Sequence, residues 1–178
     1  EDKVGDLGLS EAYRLERMEG VYKAACEISK ESLSHDLHHI QLTLKYAEVL
    51  LKEAKSLGLN PNSENVFLAV CCHDLSRSKR SLHGSQSLDE SVLLTTVVLK
   101  NRDYTEREAE PICQIIREHD QPENTPTSLE ARILKEADFL AGMGAWGILR
   151  TFVWGGECHR SIVKMIDIFE SGMRKRIE

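Results

Sequence analysis

Apolar positions recur every three or four residues along most of the chain, which is the spacing of an amphipathic α-helix. Before residue 31, for example, Leu15, Met18, Tyr22 and Ala25 follow this spacing. Glycine, proline and short polar runs interrupt the pattern and predict where helices end. The predicted helices span residues 10–31, 36–57, 63–75, 84–100, 105–119, a segment from about 127 that holds residue 138, a short segment ending at 154, and 157 to the end.

Several predicted helix ends carry a specific signal. Gly58 is expected to end the second helix, because glycine adopts the backbone conformation that closes a helix. Thr105–Glu108 and Thr127–Glu130 both have the Thr-x-x-Glu form of a capping box, in which the two side chains satisfy backbone N–H groups. Gly155–Gly156 is expected to break the chain between the last two helices.

The stretch Val92–Leu99 is rich in Val and Thr and could form a strand. The rest of the chain offers no partner strands, so the pattern favours an all-α fold. We predict a single domain over residues 1–178, folded as one compact helical bundle of about seven or eight helices.

Composition narrows the class of protein further. The net charge of −6 argues against binding to duplex nucleic acid, which requires a large positive surface. Five scattered cysteines without a Cys-x-x-Cys pair indicate reduced thiols in a cytoplasmic protein. Since neither a signal peptide nor a long apolar run is evident, we expect no secretion and no membrane contact.

Four side chains distant in sequence could form one metal site: His39, the adjacent pair His73 and Asp74, and Asp138. Two imidazoles and two carboxylates suit a divalent ion that activates water, and they lack the thiolates of a structural zinc site. His73 and Asp74 follow an apolar run, Val66–Cys72, where charged groups are costly unless something binds them. From the residues alone, His35 and His38 compete with His39 for the first ligand position.

Three segments resemble the HD-domain metal-dependent phosphohydrolases. Ser34–Ile40 (SHDLHHI) is similar to the family's opening S-H-D-x-x-H-[IV], in which the last histidine, here His39, is a ligand. Ile133–Leu140 (ILKEADFL) is similar to the closing segment D-A-D-x-L-D and assigns the ligand role to Asp138. Gly144–Gly156 resembles the G-A-x-G-I-x-R-T-F…G-G run of a bacterial subgroup that includes nucleoside triphosphate pyrophosphohydrolases.

The resemblance implies an HD-type bundle with a motif core at about 34–156, flanked by helices in 1–30 and 157–178. It implies one divalent ion (Mn, Mg, Fe, Co or Ni) on His39, His73, Asp74 and Asp138, with a second ion possible near His83 and His119. The expected reaction is attack of metal-activated water on phosphorus, and the expected substrate is a small phosphate compound, in particular a nucleotide. The resemblance and the positions of charged residues together give the remaining candidates, which are His83, Glu118 and His119 for catalysis and Arg77, Lys79, Arg80 and Arg150 for phosphate binding.

Two other functions remain open at this stage. One is a phosphodiesterase or 5'-nucleotidase of the same fold. The other is a non-catalytic HD-type binding module, suggested by departures from the family pattern at Ser76 and Ala141. The first and last predicted helices carry long apolar stripes, which could meet a partner in a homodimer or pack within the same chain.

Overall fold

The structure, a computed structural model, describes residues 11–30, 32–78, 85–121, 125 and 127–177, without the side chains of residues 78, 85, 86 and 172–177. Within these ranges the chain forms eight α-helices, one 3-10 helix and no strand, which confirms the all-α prediction and the helix number. The helices are α1 (Glu11–Ser29), α2 (Leu37–Ser56), α3 (Ser63–Cys72), the 3-10 helix (Leu75–Ser78), α4 (Ser85–Lys100), α5 (Glu106–His119), α6 (Leu129–Ala141), α7 (Gly144–Glu157) and α8 (Ile162–Ile177). Val92–Leu99 therefore belongs to a helix, and the strand alternative is wrong.

Helix α3 lies at the centre of the bundle, in contact with α1, α2, α5 and α6. Its apolar run is continuous because it has neighbours on all of these sides, and the buried members are Val66, Leu68, Ala69, Val70, Cys71 and Cys72. Helices α2 and α6 pack along each other beside it. The C-terminal end of α3 therefore delivers His73 and Asp74 into the interior. No helix in the described ranges is long and apolar enough to cross a membrane.

Two of the predicted helix ends are confirmed. At the end of α2, Gly58 has a φ of 77°, its N–H donates to the Lys55 carbonyl at 3.1 Å, and Leu59 N–H donates to the Ala54 carbonyl at 3.0 Å. This pair of bonds is the Schellman arrangement, which glycine favours because it adopts positive φ without strain. At the start of α5, Thr105 and Glu108 form the capping box.

The second predicted capping box is wrong. Ser128, not Thr127, caps α6, and its side chain accepts the Ala131 N–H at 3.2 Å. Glu130 reaches away from its own helix and accepts the Asn62 N–H at 2.8 Å. The acid at this position therefore joins the start of α6 to the residue that caps α3.

The predicted break at Gly155–Gly156 is also wrong, because α7 continues through both glycines to Glu157. Gly155 is buried, and a Cβ there would lie only 2.4 Å from Met165 Cγ of α8. The absence of a side chain at Gly155 thus lets α7 and α8 approach closely. The chain turns after Cys158 instead, where His159 has a φ of 53°, and α8 begins at Ile162 rather than near 157.

Candidate metal centre

The four side chains predicted as metal ligands converge in the interior. His39 lies in the first turn of α2, His73 and Asp74 follow α3, and Asp138 lies in the last turn of α6. One ligand atom from each lies within 4.8 Å of the others. His39 Nε2 is 3.3 Å from His73 Nε2, 3.3 Å from Asp138 Oδ1 and 3.4 Å from Asp74 Oδ2. We call these four residues the ligand cluster.

The backbone of α3 fixes the orientation of His73. Its Nδ1–H donates to the Val70 carbonyl at 2.8 Å, so Nε2 faces the ligand cluster. His119, at the end of α5, is held in the same way, with Nδ1–H donating to the Ile116 carbonyl at 2.5 Å. The two imidazole centroids are 5.5 Å apart. His119 therefore lines the same interior region as the ligand cluster.

The charges of the ligand cluster fit a divalent cation. Burial alone would lower the pKa of His73, but the Asp74 and Asp138 carboxylates outweigh burial and raise it to about 10. Burial would raise the pKa of both carboxyls, yet the facing histidines hold both pKa values well below the usual range. Asp138 Oδ1 is buried without a hydrogen bond in the described structure. A proton on His73 thus partly balances two carboxylates, and a divalent ion would release that proton and supply more positive charge.

His39 has two neighbours at its outer nitrogen. Thr43 Oγ1 lies 3.5 Å from Nδ1, and an Arg150 N–H donates to Nδ1 at 2.5 Å. The bond from Arg150 requires a lone pair on Nδ1 and therefore places the proton on Nε2. Metal binding through Nε2 requires the opposite tautomer, in which Nδ1–H donates to Thr43 Oγ1. A bound ion would consequently release the guanidinium of Arg150 from His39.

Arg77 lies beside the ligand cluster, with Nε 3.4 Å from Asp74 Oδ1. The preceding Ser76 is buried and anchors the 3-10 helix to α4: its N–H donates to Ser91 Oγ at 3.1 Å and its hydroxyl to the Ser87 carbonyl at 2.7 Å. The serine at this departure from the family pattern therefore has a structural role that fixes the backbone next to Arg77.

The remaining candidates are placed as follows. Glu118 lies at the α5–α6 junction, where its carboxylate accepts the N–H and hydroxyl of Ser128, both at 2.7 Å. These bonds engage Glu118 in the cap of α6, and a catalytic role for it stays a prediction. His83, Lys79 and Arg80 lie outside the described residues.

The structure distinguishes the three neighbouring histidines at the start of α2. His38 is exposed, and its ring packs edge-on against Trp146 with the centroids 4.4 Å apart. Trp146 is 45% exposed, so this pair of rings lies at the surface. His35 lies against the ligand cluster, with Nε2 3.7 Å from Asp74 Oδ2, and burial lowers its pKa to about 3.

Comparison with known proteins identifies the fold family. The HD domain family matches residues 32–143, well over half of the chain. The chain belongs to the HD domain family. The matched part of this HD domain contains the whole ligand cluster, whereas Arg150 and the rest of α7 lie beyond it.

Solved structures share the fold of this HD domain at low sequence identity. A Lactobacillus plantarum protein is 21% identical with a TM-score of 0.66, and the match covers 83% of this chain but only 66% of that one. Bacillus subtilis YpgQ, solved in complex with ADP, is 20% identical with a TM-score of 0.58, covering 84% of this chain and 71% of YpgQ. A predicted HD superfamily hydrolase from an uncultured Thermotogales bacterium is 21% identical with a TM-score of 0.57, covering 92% and 88%. The comparison with curated proteins gave no match.

Proposed function

We propose that this HD domain is a metal-dependent phosphohydrolase acting on a nucleotide or a related phosphate compound. The observation that carries the proposal is the convergence of His39, His73, Asp74 and Asp138 on one point in the interior. Two relatives support it. One is described as a predicted HD superfamily hydrolase, and YpgQ was solved with the nucleotide ADP.

The surrounding side chains suit a phosphate substrate. A divalent ion in the ligand cluster would lower the pKa of a water molecule and polarise a phosphoryl oxygen. Arg77 and Arg150 lie at the edge of the ligand cluster and can offer forked N–H groups to phosphate oxygens. His119 presents its Nε2 side to the same region and can hydrogen-bond to substrate or water. Their shared task is to position the phosphate and neutralise its charge.

Within this class we favour a nucleoside triphosphate pyrophosphohydrolase. The G-A-x-G-I-x-R-T-F run in α7 supports this choice, because it contains Arg150, which contacts a residue of the ligand cluster. The products separate the alternatives. A pyrophosphohydrolase releases pyrophosphate and a nucleoside monophosphate, a 5'-nucleotidase releases inorganic phosphate from a monophosphate, and a phosphodiesterase opens a diester.

Two adjacent histidines provide a matched test of the site. In His39→Ala one imidazole of the ligand cluster is lost, whereas in His38→Ala an exposed imidazole beside Trp146 is lost. We expect the purified protein and His38→Ala to hold about one equivalent of a transition metal, and His39→Ala to hold almost none with its circular dichroism spectrum still helical.

The same three proteins should then be tested on nucleoside mono-, di- and triphosphates and cyclic dinucleotides with Mn²⁺ and Mg²⁺. We expect activity in wild type and His38→Ala and a loss of at least about 100-fold in His39→Ala. A protein that binds no metal after reconstitution, or that hydrolyses no member of the panel, would contradict the proposal and favour a non-catalytic binding module.

A further inference from the structure

A hydrogen-bonded path leads from the end of α7 to His35, which lies beside the ligand cluster. Glu157 lies in the last turn of α7, where a negative charge opposes the helix dipole. Its carboxylate contacts the loop before α2 instead: Oε1 accepts the Leu33 N–H at 2.9 Å, and Oε2 accepts the hydroxyl of Ser34. Ser34 is 1% exposed and Glu157 is half-buried, so the bond between them is partly shielded from solvent.

The direction of these hydrogen bonds fixes the proton on the next residue. A carboxylate can only accept, so the single O–H of Ser34 is used by Glu157. Ser34 Oγ lies 2.8 Å from His35 Nδ1 and can offer only a lone pair to it. His35 must therefore carry its proton on Nδ1. In the neutral ring this leaves a lone pair on Nε2.

His35 Nε2 lies 3.7 Å from Asp74 Oδ2. Two acceptors at this separation repel each other unless a donor satisfies both. One water molecule beside them can donate an O–H to each, because the separation is less than twice a hydrogen-bond length. The arrangement therefore defines a place for an oriented water next to a residue of the ligand cluster.

We propose that Glu157 and Ser34 are positioning residues that hold His35 in its Nδ1–H tautomer, so that Nε2 accepts a hydrogen bond from the water that attacks the substrate. Identification of this water as the nucleophile rests on the proposed function, whereas the tautomer does not. Glu157 and Ser34 thus act through His35 and are not themselves members of the ligand cluster.

The tautomer can be measured in the metal-free protein by long-range ¹⁵N–¹H correlation spectra of ¹⁵N-histidine-labelled samples, with the His35 signals identified from their loss in His35→Asn. We expect Nδ1–H in wild type. In Glu157→Gln the new amide N–H can donate to Ser34 Oγ, so the hydroxyl turns towards His35 and the ring proton moves to Nε2. Glu170→Gln makes the same chemical change at an exposed site on α8 and should leave the tautomer unchanged.

The catalytic consequence is measured separately on the metal-loaded proteins. We expect Glu157→Gln to lower kcat by about 10- to 100-fold while KM and metal content stay close to wild type, because the change acts through a hydrogen-bonded neighbour of the site. Ser34→Ala removes the bridging hydroxyl and should cause the same loss. It also provides the test if Glu157→Gln fails to fold.

Nε2–H in wild-type His35, or a Glu157→Gln variant with both the tautomer and the kcat of Glu170→Gln, would overturn the proposal. A protein with the expected tautomers but without phosphohydrolase activity would refute the proposed function and leave the positioning of His35 standing. The two failures are therefore distinguishable.

Discussion

Thr43 illustrates how one buried hydroxyl can prepare a metal ligand. Its O–H donates to the His39 carbonyl at 2.9 Å, so the oxygen that lies 3.5 Å from His39 Nδ1 offers a lone pair. That lone pair favours the tautomer in which Nε2 is free to bind a metal ion. Replacing the hydroxyl by a methyl group would remove this preference with little change of volume.

We predict that Thr43→Val lowers the affinity for Mn²⁺ by about 10- to 100-fold, measured by isothermal titration calorimetry. The matched control is Thr96→Val, because Thr96 also donates to the carbonyl four residues earlier in its helix but lies on α4. A Thr43→Val protein that binds Mn²⁺ as tightly as Thr96→Val would exclude this role.

The sequence identifies the residues that would contact a metal ion, but not the residues that orient those ligands and their neighbours. His39, His73, Asp74 and Asp138 could be chosen from residue type and motif, and the structure brings those four together. Thr43 and Glu157 could not, because a threonine within a helix and a glutamate after two glycines have no distinctive pattern. The contacts of Glu157 depend on how α7 lies against the loop before α2, which is distant in sequence, and the role of Thr43 depends on the orientation of the His39 side chain.

At the element scale, the junction of α6 and α7 depends on a close backbone contact. A Cβ at Gly147 would lie 1.8 Å from the Gly142 carbonyl oxygen, so α7 can begin where it does only without a side chain there. Asp138 lies in the last turn before this junction, and Arg150 lies one turn after Gly147. A shift of α7 would therefore move Arg150 relative to the ligand cluster.

We predict that Gly147→Ala destabilises the protein by about 1–3 kcal/mol, since overpacking forces backbone shifts, and raises KM more than it lowers metal content. Urea denaturation and steady-state kinetics would measure the two effects. Gly156→Ala is the control, because that glycine is helical and exposed with open space around it, and alanine there should be neutral or stabilise by up to about 1 kcal/mol. Equal stabilities of the two variants would show that the junction tolerates a side chain.

Glycine also explains why the predicted break between the last two helices is wrong. A glycine can end a helix, as Gly58 does, or allow another helix to approach, as Gly155 does. Sequence spacing does not distinguish these two roles, because the role of Gly155 depends on its contact with Met165 of α8. Apolar periodicity was reliable because it reflects burial, whereas helix ends depended on contacts such as that between Glu130 and Asn62.

For the molecule as a whole, buried histidines whose pKa values are shifted in opposite directions should give the metal-free protein a maximum of stability as the pH is varied. The pKa of His35 is lowered by burial from 6.5 to about 3, and that of His119 is also lowered by burial. The unfolded chain takes up these protons first, so stability is lost as the pH falls below about 6.5. The pKa of His73 is raised to about 10, so its contribution is complete below 6.5 and is lost as the pH rises towards 10.

We therefore predict that the free energy of unfolding, measured with urea in the presence of a chelator, is greatest near pH 6.5 and falls on both sides. Each titrating histidine contributes at most about 1.4 kcal/mol per pH unit. His35→Asn should flatten the acidic side between about pH 4 and 6.5 and leave the alkaline side unchanged. An unaltered acidic slope in that variant would show that His35 is accessible to protons in the folded state.

The ligand cluster has a further consequence for the lifetime of the folded chain. Its four residues come from segments around positions 39, 73 and 138, so an ion bound there would join α2, the end of α3 and α6 only when all three are assembled. Such an ion binds the native state and not the unfolded one, so it stabilises the native state by mass action. The supply of metal in the surroundings would then set the rate at which the protein opens to proteases as well as its activity.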